Sequence, residues 1–248
     1  MTGKKIKIAL CLSGEPRSSM FCFPYIYEAF MSSSKYFKAE VDVYIHSWRK
    51  FRALEIYNPK SYNIELPEEF THPEQILSDL TLPNSLSSNK VFNDGFTSQT
   101  NVFLNSTKML TSIKQSFDLV KQPYDIYIRS RFDLIFTNKF FIRPIVEDIL
   151  NGKYDMFIPL KYPWPSDGIE YNDQLAIGNY KSMNIYSNTV TNLQHLLNIT
   201  EAWGPEIFLR QQLNDNNIKI NEFFINHRIV RKSDVIVNES GYYQFLDE

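Results

Sequence analysis

The residues best suited to chemistry lie in the run Tyr124–Phe136, where Arg129, Arg131 and Asp133 stand two residues apart. The run is largely apolar and predicts a buried strand, whose alternate side chains share one face if the chain stays extended. Two guanidinium groups and a carboxylate on that face are costly without a partner. A diphosphate with a divalent cation is such a partner, because arginines bind phosphate oxygens and a carboxylate holds the metal. The alternative is an internal Arg–Asp salt bridge at a strand end.

The first predicted strand, Lys7–Leu12, also runs into polar residues, in the turn Ser13-Gly14-Glu15-Pro16-Arg17. Gly14 permits close backbone approach, and Arg17 offers a planar fork for phosphate. The turn lacks the Gly-Lys-Ser/Thr ending of a P-loop and the Gly-x-Gly-x-x-Gly fingerprint of dinucleotide-binding folds. The alternative is an ordinary strand–helix turn with a solvated arginine.

The second predicted strand, Val41–Trp48, closes on His46, Ser47 and Trp48. A nucleobase can stack on Trp48 or hydrogen-bond to this edge, although Trp48 equally suits the core. His227, in a late strand region, can serve as a metal ligand or as a structural histidine.

Two carboxylates are candidates for activating an acceptor hydroxyl. Asp173 follows a loop and enters a short strand, and Glu206 stands beside Pro205 at a predicted helix start. A carboxylate fixed at a helix N-terminus at the crevice is a well-placed general base. The structural alternatives are a turn at Asp173 and a favourable charge on the helix dipole at Glu206.

Strands alternate with helices along the chain, which predicts an α/β domain with a mostly parallel sheet. The remaining predicted strands are Tyr62–Leu66, Asp155–Leu160, Leu175–Gly178 and the region Lys219–Arg231. The predicted helices are Pro24–Met31, Val102–Lys121, Pro144–Leu150, Asn184–Leu197 and Pro205–Asn214, and the long loops are Thr71–Gln99 and Lys161–Asn172. Ligands of such sheets bind at the carboxyl ends of the strands, so the polar strand ends should converge on one crevice.

Composition narrows the class of protein. The chain has 248 residues and a net charge of −2, which gives no basic footprint for nucleic acid. Cys11 and Cys22 suggest neither a disulfide framework nor a zinc site. We find no signal peptide and no apolar stretch long enough to span a bilayer, and therefore expect a cytoplasmic protein.

Five motifs occur in an order that resembles a known family: Leu12–Arg17, Asp42–Trp48, Tyr124–Asp133, Asn172–Gly178 and Gly204–Glu206. Together they resemble small GT-A-type glycosyltransferases of bacterial surface-polysaccharide loci and large DNA viruses. The resemblance implies one GT-A-like (Rossmann-like) domain over residues 1–248, with a mostly parallel central sheet flanked by helices. It implies a nucleotide-sugar half at about 1–136 and an acceptor half at about 137–248. A viral member would act in the host cytoplasm.

The resemblance also implies an activity: transfer of a sugar from a nucleotide-diphosphate sugar to a glycan or other hydroxyl acceptor, assisted by Mg²⁺ or Mn²⁺. Arg131-Phe132-Asp133 stands where many such enzymes carry Asp-x-Asp, so Asp133 alone would hold the metal. The nucleotide sugar would lie across the strand ends, and the base would be Asp173 or Glu206. The expected nucleotide-sugar-binding residues are Ser13, Gly14, Arg17, His46, Arg129 and Arg131.

Two other functions stay open. A sugar-phosphate nucleotidyltransferase also opens with a strand and a Gly-containing turn, but that turn usually carries a second glycine and a following lysine, which Ser13–Ser19 lacks. A non-catalytic GT-like nucleotide-binding module is compatible with the single carboxylate in place of Asp-x-Asp.

Overall fold

The computed structural model describes residues 5–32, 34–52, 54–65, 99–137, 141–160, 171–200, 204–231, 235–237 and 243–245. The strands are β1 (Ile6–Gly14), β2 (Ala39–Ser47), β3 (Ser61–Ile64), β4 (Ile126–Ser130), β5 (Leu134–Phe136), β6 (Met156–Pro159), β7 (Leu175–Gly178), β8 (Ile220–Phe223), β9 (His227–Ile229), β10 (Val235–Val237) and β11 (Tyr243–Phe245). The α-helices are α1 (Ser19–Ile26), α2 (Leu54–Tyr57), α3 (Gln99–Asp118), α4 (Arg143–Leu150), α5 (Tyr180–Ser187), α6 (Leu193–Ile199) and α7 (Pro205–Asp215). A π-helical turn covers Tyr27–Ser32, and 3₁₀ turns cover Lys35–Phe37 and Asn188–Asn192.

The main sheet has seven strands in the order β3-β2-β1-β4-β7-β6-β8. Only β7 runs antiparallel to its neighbours β4 and β6, and the other adjacent pairs are parallel. The order β3-β2-β1-β4 matches the first four positions of the Rossmann strand order 3-2-1-4-5-6. The predicted α/β class with a mostly parallel, helix-flanked sheet is confirmed.

Both faces of the sheet are covered, and β1 shows how its sequence achieves this. Ile8, Leu10 and Leu12 pack into one buried apolar cluster with residues of α1 and α4. Ala9 and Cys11 pack into the other, with residues of α3, α5, α6 and α7. A strand buried on both faces reads as a continuous apolar run, which is why β1 shows no polar alternation. At the end of such a strand, the alternation of side chains between the two faces determines the face on which each polar residue lies.

The single predicted strand Tyr124–Phe136 is wrong, because the structure divides it into β4 and β5. The amide of Arg131 still donates to the carbonyl of Gln174 at 3.2 Å, one step beyond β4. Phe132 then enters the core, where its ring packs edge-on against Phe51 with centroids 5.0 Å apart. The chain leaves the main sheet there, and β5 pairs antiparallel with β9 in a separate two-stranded sheet.

Three other element predictions need correction. The first helix begins at Ser19 rather than Pro24, which lies inside it, and continues as the π-helical turn. The region Asn184–Leu197 is α5, a 3₁₀ turn and α6. Lys219–Arg231 holds two strands of different sheets, β8 and β9. The predicted loops lie outside the described residues at 71–98 and 161–170.

Candidate functional site

A pocket of about 450 Å³ opens at the carboxyl ends of β1 and β4, lined also by residues of α3 and by Pro205 at the start of α7. Its volume is in the usual range for a small-molecule site. The residues that line it are Ser13, Gly14, Glu15, Arg17, Trp48, Asn105, Ser106, Lys108, Met109, Arg129, Arg131, Asp133 and Pro205.

Strand register brings the polar ends together. Cys11 of β1 pairs with Arg129 of β4, and Ser13 pairs with His46 of β2. β1 ends at Gly14, whose φ of +115° lies in a region that L side chains rarely adopt. A Cβ built at Gly14 meets no atom within 4 Å, so backbone conformation rather than space explains the glycine.

Arg129 is the most unusual residue of the pocket. It is 1% exposed, and among the residues that the structure describes its Nε and Nη1 atoms have no hydrogen-bond partner. Burial lowers the pKa of Arg129, opposed by the nearby charges of Asp173 and Asp133. A buried guanidinium with unpaired donors that lines a pocket is prepared for an anionic ligand.

Arg131 and Asp133 form a bidentate pair at the same site. Arg131 donates from Nε to Asp133 Oδ1 at 2.7 Å and from Nη2 to Oδ2 at 2.8 Å. The Asp133 side chain is 1% exposed and that of Arg131 is 19% exposed. Burial opposes the charge of Arg131, but the hydrogen bonds and charge of Asp133 prevail and raise its pKa. The internal salt bridge weighed as the alternative is therefore present, and it lines the pocket.

The Mg²⁺ or Mn²⁺ expected from the resemblance does not fit the donors in this part of the site. Both carboxylate oxygens of Asp133 already accept from Arg131. Within the described ranges, no group of three His, Cys, Asp or Glu residues is placed to hold a metal ion. Mg²⁺ prefers an octahedral set of oxygens, and a cation bound at Asp133 would lie beside a guanidinium.

Trp48 and His46 occupy different positions at the end of β2. Trp48 lines the pocket, whereas His46 lies behind it, with the two rings edge-to-face at 4.8 Å. His46 Nδ1 and Ser112 Oγ share a hydrogen bond of 2.7 Å. Burial lowers the pKa of His46, although Glu65 opposes this. In this geometry His46 supports the tryptophan and does not itself line the pocket.

Asp173 lies beside the arginines without lining the pocket. It is 8% exposed, and its charge acts on both Arg129 and Arg131. The preceding residue, Asn172, caps a turn by accepting from the amide of Gln174 at 2.8 Å. The turn considered as the structural alternative for this segment is therefore present, at Asn172.

His227 is engaged at both ring nitrogens. Its Nδ1 lies 3.0 Å from the carbonyl oxygen of Ile225, so Nδ1 carries the proton. Its Nε2 lies 3.4 Å from Asn172 Nδ2, which donates. Burial lowers the pKa of His227. No lone pair is left for a metal in this arrangement.

Glu206 lies in the first turn of α7, directly after Pro205, which lines the pocket. Proline at the first helical position and an acid beside it are typical of a helix start. The backbone carbonyl of Glu206 accepts from the amide of Tyr171 at 3.2 Å. Glu206 therefore stands at the edge of the site without lining the pocket itself.

Six of the nine residues expected at the site line one pocket, namely Ser13, Gly14, Arg17, Arg129, Arg131 and Asp133. The other three, His46, Asp173 and Glu206, lie around it. One wall of the pocket belongs to α3 and was not predicted from the sequence. It consists of Asn105, Ser106, Lys108 and Met109. Asn105, Lys108 and Met109 follow the i, i+3, i+4 spacing of one helix face, the only signal in the sequence that could have marked them.

Among the described helices, none combines the length and apolar composition that a membrane crossing requires. Cys11 and Cys22 are both buried and free. No family model and no curated protein sequence matches the chain.

Solved structures give looser similarities. A glycosyltransferase involved in the glycosylation of the major capsid of PBCV-1 matches with a TM-score of 0.43 and 10% identity, over 89% of this chain and 82% of that one. Mouse xyloside xylosyltransferase 1 matches with a TM-score of 0.41 and 11% identity, over 88% and 84%. A Bacillus anthracis protein assigned as a glucose-1-phosphate thymidylyltransferase matches with a TM-score of 0.41 and 12% identity, over 91% of this chain and 89% of that one. At TM-scores below 0.5 these similarities do not assign a function to the chain.

Proposed function

We propose that this protein is a glycosyltransferase that moves a sugar from a nucleotide-diphosphate sugar to a glycan or other hydroxyl acceptor. The observation that carries the proposal is Arg129, a fully buried guanidinium with unpaired Nε and Nη1 atoms in a pocket at the strand ends. A buried cation of this kind needs an anion, and a phosphate matches its fork geometry. The pocket has the volume for a nucleotide rather than for a single phosphate.

The pocket wall suits the parts of such a donor. Arg129, Arg131 and Arg17 offer cationic groups to the diphosphate, and Ser13 adds a buried hydroxyl that has no hydrogen-bond partner within the described ranges. Trp48 offers a ring against which a base can pack. Gly14 lets the backbone approach the phosphates closely.

In the proposed reaction the acceptor hydroxyl oxygen bonds to the anomeric carbon of the sugar. The bond from that carbon to the β-phosphate oxygen breaks, and its electron pair leaves with the nucleoside diphosphate. Arg129 stabilises the negative charge that develops on the leaving group. In an inverting reaction, Asp173 or Glu206 takes the acceptor proton, and we keep both as candidates.

Thermal-shift screening against UDP, GDP, CDP and dTDP sugars, each with and without Mn²⁺, tests the donor class. A ligand that binds only the folded protein stabilises it by about 2.7 kcal/mol at a hundredfold excess over Kd, which a melt detects. We expect one nucleotide to raise the melting temperature. Mass spectrometry of the same mixtures with candidate acceptors should then find the free nucleoside diphosphate and the glycosylated acceptor.

Two outcomes would contradict the proposal. If no nucleotide sugar shifts the melt, Arg129 does not serve a nucleotide site. If a nucleoside triphosphate with a sugar phosphate releases pyrophosphate, the protein is a nucleotidyltransferase. Arg52 is exposed and does not line the pocket, so Arg52→Met is the matched control for Arg129→Met and should bind like the wild type.

A further inference from the structure

We propose that Arg131 takes the place of the divalent cation at this site, so that the nucleotide diphosphate binds without metal. The inference rests on the proposed function and concerns how the same pocket neutralises its ligand.

The carboxylate of Asp133 is already paired with Arg131. Its two carboxylate oxygens accept from Arg131 at 2.7 and 2.8 Å, and its side chain is 1% exposed. A metal ion at the remaining lone pairs of Asp133 would lie directly beside the Arg131 guanidinium, and the two cations would repel each other. The pair therefore disfavours the ion that the carboxylate would otherwise bind.

The second argument is the charge of the pocket wall. Arg17, Lys108, Arg129 and Arg131 line it as cations, and Glu15 and Asp133 line it as anions, so the described wall has a formal excess of two positive charges. The diphosphate of a nucleotide sugar is doubly charged. The wall can balance that ligand without a metal ion, whereas an added divalent cation would leave positive charge uncompensated.

The third argument is that Arg131 is held rigidly. Asp133 takes the N–H groups of Nε and Nη2, and the Arg131 amide donates to the Gln174 carbonyl at 3.2 Å. The rest of the guanidinium remains for a ligand, and Arg131 lines the pocket with 19% of its side chain exposed. Because the Arg131 guanidinium is already held in place, it can stabilise the charge that develops on the phosphate without reorganisation of the protein. Asp133 is thereby a positioning residue for Arg131.

Isothermal titration calorimetry with UDP, GDP, CDP and dTDP, each in excess EDTA and in excess Mn²⁺, tests the inference. For the tightest of the four, we expect the wild-type Kd to agree within about twofold between the two conditions. Arg131→Asp creates an Asp-x-Asp sequence and removes the cation. We expect this variant to lose at least about tenfold in affinity in EDTA and to regain it with Mn²⁺. Arg52→Asp is the matched charge control.

Wild-type binding that is at least about tenfold tighter in Mn²⁺ than in EDTA would overturn the inference and leave the proposed function standing. Absence of binding by all four nucleotides in both conditions would overturn the proposed function as well. If Arg131→Asp does not fold, Arg131→Lys and Arg131→Met replace it. Lysine should keep metal-free binding at reduced affinity and methionine should lose it; wild-type affinity in EDTA for both variants would refute the role of Arg131.

Discussion

Arg129→Met should make the ligand-free protein more stable while it weakens ligand binding. Arg129 is 1% exposed, and two of its guanidinium nitrogens have no hydrogen-bond partner in the part of the chain that the structure describes. Methionine replaces this buried charge with an apolar side chain that fills much of the same space. Replacement of an unsatisfied buried polar group by an apolar one of similar shape is neutral or stabilising, whereas loss of a working ion pair is strongly destabilising.

The magnitude follows from the two unpaired donors. Each buried donor left unsatisfied costs about 1–3 kcal/mol. Asp173 and Asp133 stabilise the charge of Arg129 and would lose that attraction, which offsets part of the gain. A net gain of about 2 kcal/mol raises the melting temperature of a domain of this size by about 4–8 °C.

Ligand affinity should change in the opposite direction. A hydrogen bond to a charged group contributes about 1.5–3 kcal/mol. Loss of the Arg129 contact to phosphate should therefore weaken nucleoside diphosphate binding by about 10- to 100-fold. The opposed signs distinguish a functional cation from a structural one, because a structural arginine would lose stability on replacement.

Differential scanning calorimetry with and without nucleoside diphosphate measures both effects in one experiment. Arg52→Met, at an exposed position, should change neither the melting temperature nor the ligand-induced shift. A melting temperature that falls by several degrees in Arg129→Met alone would refute the reasoning, since Arg129 would then be paired in the free protein. An unchanged ligand-induced shift in that variant would refute it equally.

Three further predictions concern stability. Asp42 accepts from Lys60 Nζ at 2.7 Å; burial alone would raise its pKa, but this bond and a second from a tyrosine lower it. Asp42→Asn should cost about 1 kcal/mol at pH 7 in urea unfolding, a difference that shrinks as the pH falls below about 4 and wild-type Asp42 protonates. A Cβ at Gly178 would collide with the Ser182 hydroxyl and lie 3.1 Å from the backbone carbonyl oxygen of Asp155, so Gly178→Ala should cost about 1–3 kcal/mol, whereas Gly204→Ala, whose Cβ has its nearest contact at 3.5 Å, should cost little in thermal melts. Burial lowers the pKa of His46, so the unfolded chain binds more protons than the folded one below about pH 6.5, and the free energy of unfolding decreases as the pH is lowered. In His46→Gln, the free energies of unfolding at pH 7.5 and pH 5 should therefore differ less than in the wild type.

The sheet was predictable because its strands are buried on both faces and read as apolar runs. Lys7–Leu12, Val41–Trp48 and Leu175–Gly178 match β1, β2 and β7 closely. The polar ends of β1 and β4 could be expected to meet, since parallel strands bring their carboxyl ends to one edge. The antiparallel direction of β7 depends on chain path and long-range pairing, which periodicity does not report.

The break between β4 and β5 could not be predicted from the pattern. The sequence returns to apolar residues at Phe132 and at Leu134–Phe136 and so predicts one continuous strand, whereas the chain leaves the sheet where the Phe132 ring packs against Phe51. The same break places Asp133 in a bidentate pair with Arg131, where the pattern had left a metal-binding carboxylate and an internal salt bridge as alternatives. Such a pairing is decided by tertiary geometry.

The wall contributed by α3 was missed for a related reason. Asn105 and Lys108 are ordinary residues for a solvated helix face, and only the packing of Leu110, Ile113 and Phe117 onto the sheet sets which face looks at the strand ends. Helical spacing therefore identifies the polar residues that share one face of α3, but not the part of the protein that this face contacts.

The most direct test of the central claim, that this pocket holds the diphosphate of a nucleotide donor, is a calorimetric comparison of a nucleoside diphosphate with its monophosphate. Guanidinium groups that meet the second phosphate should make the diphosphate bind about 10- to 100-fold more tightly. Equal affinities for the two nucleotides, or no binding of either, would contradict the account.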